Sequence, residues 1–152
     1  DMTEQPIRIV STSAHNIVIS GRFPSYAPDL LFNFWVEPEQ LQKWWPPQAS
    51  VDPRVGGSYD FFWPKQNWHL RGSYSVFEPG KALAFSWHWD HEPDRPSRLV
   101  EVSFSVPGEG GSKLKLTQSG YDGSEADLKE QEGHIEGWMH FLNQLYNLEI
   151  PD

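Results

Sequence analysis

Few residues in this chain have the types and spacing that chemistry demands. The densest group is His88-Trp89-Asp90-His91. On a strand, His88 and Asp90 share a face while His91 falls in the following loop. A dedicated metal site needs three or four converging ligands with hydrogen-bonded support behind them, so this tetrapeptide reads as the polar end of a hairpin. His134 and His140 lie in a helical stretch, and at about 100° per residue they point roughly 120° apart, which gives no bidentate metal face. His134 stands four residues from both Glu130 and Trp138. The expectation is a plain surface pair with the carboxylate, worth tenths of a kcal/mol; the other reading turns the imidazole toward the edge of a cavity. Side chains able to meet a ligand as acid or base are His69, Arg71, Tyr74, Gln118, Tyr121 and His134. They form no recognisable constellation, no Ser sits in a nucleophile-elbow sequence, and the chain has no Cys. Asp52 and Arg54 read as a structural ion pair. Gly56-Gly57 precedes a strand rather than a helix, which marks a turn and not a phosphate cradle. No catalytic residue is assigned.

The elements that must position these groups follow from periodicity. Ser124 to Leu148 reads as one long amphipathic helix, with Leu128, Ile135, Trp138, Leu142, Leu145 and Tyr146 on its apolar face. Ser124 and Asp127 make a capping-box-like start, and acidic residues occupy the first turn, where the helix dipole is positive. Gly133 and Gly137 interrupt this helix at about 1 kcal/mol each relative to Ala. Close packing on another element is the expected reason; the alternative is space left for a bound molecule. Between Ala49 and Gly120, strand-like runs alternate with turn signals: Ala49–Val55, Ser58–Trp63, Asn67–Glu78, Ala82–Trp89, Ser97–Val106 and Lys113–Ser119. Leu83, Phe85, Trp87 and Trp89 fall on one side of their strand, Val100, Val102, Phe104 and Val106 on one side of the next, and Leu114 and Leu116 on one side of the last. Such a sheet is packed on one face only. Asn16 to Phe23 is a first strand, and Ile7 to Val10 can be a further extended segment. Pro28 opens one short helix, and a second runs from Glu39 to Trp45 before Pro46-Pro47 ends it.

The 152 residues fit one domain, here 15–150 behind an N-terminal extension 1–14. Net charge is −9, which argues against nucleic acid as a partner. No apolar run approaches the length that spans a bilayer. Asp1 ahead of Met2 makes Met2 the expected natural start, no signal-like pattern follows, and a cytoplasmic location is expected.

The chain resembles a known family through landmarks spread over residues 15–149. They include Ala27-Pro28, the run Glu39-Gln40-Leu41-Gln42-Lys43-Trp44-Trp45-Pro46, Asp52-Pro53-Arg54-Val55-Gly56-Gly57 and Arg71-Gly72-Ser73-Tyr74. Phe77 through Leu83, the Gly137-Trp138 pair and Leu142 through Leu145 complete the set. These are similar to the helix-grip (START-like, SRPBCC) superfamily, and within it to bacterial relatives of the C-terminal domain of the activator of Hsp90 ATPase. The resemblance implies an α+β helix-grip fold: a curved antiparallel sheet of six to seven strands around a long C-terminal helix, with two short helices after the first strand. It also implies a cavity between sheet and helix, and a bent sheet cannot touch a straight helix everywhere. Expected lining residues are Trp44, Trp45, Phe61, Trp63, Tyr74, Phe85, Trp87, Phe104, Gln118, Tyr121, Trp138 and Phe141. With 8 Trp in the chain, the expected partner is a small apolar or aromatic molecule, and no metal or other cofactor is expected. A cyclase- or hydrolase-like enzyme and a chaperone-related interaction module are the rival readings, and a homodimer is left open.

Overall fold

The computed structural model describes residues 5–148; Met2 as the start, and the last two residues of the expected domain 15–150, lie outside them. Among the described residues, eight strands form one open antiparallel sheet. In chain order they are β1 (Ile7–Thr12), β2 (Asn16–Phe23), β3 (Gln48–Val51), β4 (Ser58–Trp63), β5 (Trp68–Glu78), β6 (Ala82–Trp89), β7 (Arg98–Ser105) and β8 (Ser112–Ser119). Two short helices, α1 (Pro28–Val36) and α2 (Pro38–Leu41), follow β2, and α3 (Glu125–Tyr146) closes the chain. The spatial order is β1-β2-β8-β7-β6-β5-β4-β3. The α1–α2 crossover thus carries the chain from β2 to the far edge, and a six-strand meander brings it back until β8 pairs with β2. This is the helix-grip fold, with eight strands rather than six or seven. The additional strand is β1, which lies inside the stretch 1–14 and pairs with β2.

Sequence chemistry explains the departures at element ends. The strand expected over Ala49–Val55 stops at Val51, because Arg54 N–H donates to the Asp52 carbonyl and Gly57 N–H to that of Arg54. Gly56 has a φ of 81°, and a Cβ on Gly57 would stand 2.1 Å from the Asp52 carbonyl oxygen, so this turn needs both glycines. The second short helix ends at Leu41 rather than Trp45. Beyond it the chain continues in turns, with Trp44 and Trp45 N–H both donating to the Leu41 carbonyl.

The inner face of the sheet follows the alternation read from sequence except at Val106, which lies past the end of β7 at Ser105 and is 65% exposed. Leu83, Phe85 and Trp87 are buried from β6, Val100, Val102 and Phe104 from β7, and Leu114 and Leu116 from β8. The helix differs. Leu128 is 46% exposed, whereas Asp127 and Gln131 are buried beside Trp138, Leu142 and Leu145. The inner stripe of α3 is therefore rotated by one residue from the apolar stripe in its first two turns, where it is polar. Those polar groups have partners. Gln131 Nε2 donates to the carbonyls of Ser13 at 2.8 Å and Asn16 at 3.1 Å. Asp127 accepts from Arg98 Nη2 at 2.9 Å and Nη1 at 3.1 Å, and also from Arg95. Arg98 Nε donates to Glu130 at 3.0 Å, and its Nη1 to the Gly120 carbonyl at 2.6 Å. Both members of the central pair are out of solvent, with side chains 0% and 1% exposed.

Removing one partner of a buried pair strands the other charge, and such changes cost about 3–5 kcal/mol. Asp127→Ala should lower stability by that amount in chemical denaturation. Asp52→Ala, at the exposed pair with Arg54, should cost less than about 1 kcal/mol. Equal losses at the two positions would contradict this reading of the α3 anchor.

Candidate functional site

Aromatic side chains fill most of the space between sheet and helix. Trp35 packs on Trp44 at 4.9 Å and on Trp138 at 5.8 Å between ring centroids, and Trp45 packs on Phe61 and Trp138, both at 5.0 Å. Space remains beyond Trp45 and Trp138, as a cleft of about 310 Å³. Its floor is Trp45, Trp87 and Trp138, and one wall is Trp63, Trp68 and Trp89. Gly133, His134, Gly137 and Phe141 of α3 form the opposite wall, and Gln66 stands at the β4–β5 turn.

Strand alternation builds the tryptophan wall. Tyr59, Phe61 and Trp63 share one side of β4, and Trp87 and Trp89 continue the Leu83–Phe85 side of β6. Trp63 pairs across the ladder with Trp68, and Leu70 pairs with Trp89, which brings three rings to one end of the sheet. The hairpin between them turns through Asn67, whose φ of 58° is left-handed. On the helical wall, a Cβ on Gly133 or on Gly137 would meet nothing within 4 Å. The two glycines do not serve close packing, the expected reason for them. They leave open space in front of the tryptophans.

Five of the twelve expected lining residues border this cleft: Trp45, Trp63, Trp87, Trp138 and Phe141. The other seven lie in the surrounding packing. Trp44 donates its Nε1–H to the Phe34 carbonyl at 2.7 Å. Phe61, Tyr74 and Phe85 pack with Tyr59, and Phe104 packs on Phe32. Gln118 accepts the Trp138 Nε1–H at 2.7 Å, and the Tyr121 ring lies under the Arg98 guanidinium. Trp68 and Trp89 were not among the expected residues, although the same alternation reaches both; nothing in the sequence points to Gln66.

The acid–base candidates separate. His69 and Arg71 lie outside the cleft, both bound to Asp60, at 2.8 Å and 3.1 Å. His88 faces the Arg95 carbonyl at 3.0 Å, Asp90 accepts from Arg71 at 2.7 Å, and His91 stacks on Trp68. Among the described residues, no group of three or more His, Asp or Glu is placed to hold a metal ion.

His134 is the exception, and it is not the surface residue expected. Its side chain is 12% exposed, with Nε2 3.7 Å from Glu130 and Nδ1 2.6 Å from the Tyr121 hydroxyl. Tyr121 O–H and Nδ1 share a hydrogen bond, whereas 3.7 Å leaves Nε2 beyond hydrogen-bond reach of the carboxylate. Burial holds the imidazole down to about 4, against a partial upward pull from Glu130. Burial also raises the Tyr121 hydroxyl well above its ordinary value. Nδ1 is held by Tyr121, and the cleft meets a buried, neutral ring.

An open antiparallel sheet gripping one long helix, with an aromatic cleft at one end, defines an α+β helix-grip domain. Residues 25–148 match the family described as Activator of Hsp90 ATPase homolog 1-like protein, and the chain belongs to that family. Solved structures agree on the fold. Protein MLL2253 from Mesorhizobium loti superposes with a TM-score of 0.75 at 20% identity, over 86% of this chain and 93% of its own. Protein CV1439 from Chromobacterium violaceum gives 0.73 at 24% identity, over 91% and 99%. Protein Ms6760 from Mycobacterium smegmatis gives 0.74 at 19% identity, over 95% and 99%. No functionally curated protein matches the chain. Among the described residues, no helix is long and apolar enough to cross a membrane.

The buried imidazole sets a pH dependence. The unfolded chain takes up a proton near its ordinary 6.5, which the native His134 refuses until about 4. The stability that His134 contributes is therefore complete above about pH 6.5 and falls as the pH drops toward 4. Asp127, held well below the usual carboxylate range by the Arg98 hydrogen bond, adds its own loss only at lower pH. Over the first window the native protein should lose on the order of 2–3 kcal/mol more than a His134→Gln variant, measured by denaturation at each pH. Coincident acid limbs in the two proteins would contradict a buried neutral imidazole.

Proposed function

We propose that this chain is a binding domain that takes a small, apolar-surfaced molecule into the cleft between the tryptophan wall and α3. The observation that carries this reading is the pair of glycines. Each forfeits about 1 kcal/mol of helix stability relative to Ala, with no packing neighbour to require it. A helix that gives up side chains opposite a wall of indole rings leaves room for a guest. Burial of the guest's apolar surface, at about 25 cal/mol per Å², supplies the affinity, and Gln66 offers an orienting amide. A binding role is favoured over catalysis because His134 is the one ionisable side chain in the cleft lining, and its Nδ1 is held by Tyr121.

Stability and binding should move in opposite directions at the glycines. Gly133→Ala and Gly137→Ala should each stabilise the free protein by about 0.5–1 kcal/mol in denaturant titrations. Both should weaken binding of 2-naphthol, followed by quenching of tryptophan emission, and Gly137→Leu should abolish it. Destabilisation by alanine would restore a packing role, and unchanged naphthol affinity in Gly137→Leu would remove the cleft as the site.

A further inference from the structure

The chemistry of the cleft narrows the class of guest, on the reading that the cleft binds a small molecule. Three charge types can be compared. An anion finds no Lys or Arg in the lining. The nearby guanidinium groups of Arg95 and Arg98 are already paired with Asp127 and Glu130, and the chain carries a net charge of −9. A primary ammonium needs acceptors for three N–H groups. The lining has no carboxylate, His134 has Nδ1 held by Tyr121 and so offers at most one acceptor, and Gln66 alone offers a side-chain amide. A quaternary ammonium has no N–H to satisfy and is attracted by the faces of indole rings.

Ring geometry favours the same guest over a flat one. Trp87 and Trp89 stand at 87° to each other, Trp68 and Trp89 at 67°, and Trp63 and Trp89 at 53°. Trp45 and Trp87 come nearer to parallel, at 25°, but their centroids are 5.9 Å apart and they pack on each other. Steeply tilted rings make a corner rather than a slot, and a rounded group touches several of them at once. The neutral state of His134 removes the one lining group whose protonation would repel a cation. We infer that the cleft receives a trimethylammonium-type head, with the tryptophans of β4, β5 and β6 as its cage.

The test compares choline with its uncharged carbon isostere, 3,3-dimethylbutan-1-ol, by calorimetric titration of the full chain. Choline should bind at least about tenfold more tightly, and Trp89→Leu should narrow that preference toward unity. Glycerophosphocholine as a third titrant separates the sources: tighter binding than choline points to a phosphodiester headgroup, and weaker binding to a free ammonium compound. Equal affinities for choline and the alcohol overturn the inference about charge and leave the cleft as a binding site. So does binding of 2-naphthol with neither of them. Absence of all binding overturns both readings.

Discussion

The rest of the structure depends on the buried contact between Arg98 on β7 and Asp127 in the first turn of α3. Arg98 pairs with Trp87 across the ladder, so the guanidinium occupies an inner-face position of the sheet. Its bonds to Asp127, Glu130 and the Gly120 carbonyl fix where α3 begins relative to that face. Asp127 also accepts from the Asp122 N–H, and the Ser124 hydroxyl accepts from the Asp127 N–H, which ties the entry loop into the same network. A buried ion pair is weak evidence for stability but has a demanding geometry. Here that geometry fixes the azimuth of the helix.

Rotation about the helix axis decides which residues face the sheet. With Asp127 turned inward, the positions one and three turns on bring Gln131 and Trp138 inward too, and Leu128 is left outside. His134 and the two glycines then face the end of the sheet where β4, β5 and β6 place their tryptophans. The other end of the helix is held separately. Tyr26 O–H donates to the Leu145 carbonyl, and Gln144 Nε2 to that of Trp44. A helix fixed at both ends cannot settle onto the tryptophans, so a cleft persists where its side chains are missing. Interiors are otherwise close-packed, and the seven expected lining residues that lie in the packing show how completely the remaining gap is filled.

Catalytic parts and binding parts can look alike in such a fold. A histidine beside a tyrosine and a carboxylate, at the edge of an apolar cleft, has the composition of an acid–base site. What separates the two is whether a second ionisable group faces the cleft beside the histidine, and in this lining none does. In this chain the imidazole is placed between Tyr121 and Glu130 and continues the ion network outward from Arg98. Burial keeps it uncharged.

The sequence by itself determined the periodic features. The helix from Ser124, the β6, β7 and β8 faces, the glycine turns and the family resemblance all rest on local spacing, because a residue's face in a strand or helix depends only on its neighbours in the chain. Trp68 and Trp89 were legible by the same rule, as continuations of inner-face stripes. Tertiary structure alone decided which aromatics fill space and which border it, because that depends on how far the helix stands from each part of the sheet. It also decided the helix azimuth. Arg98 and Asp127 are 29 residues apart in the chain, and no local pattern marks a charge on an otherwise apolar strand face as the partner of a carboxylate in a distant helix. The placement of Gly133, Gly137 and His134 follows from that one contact, which periodicity cannot see.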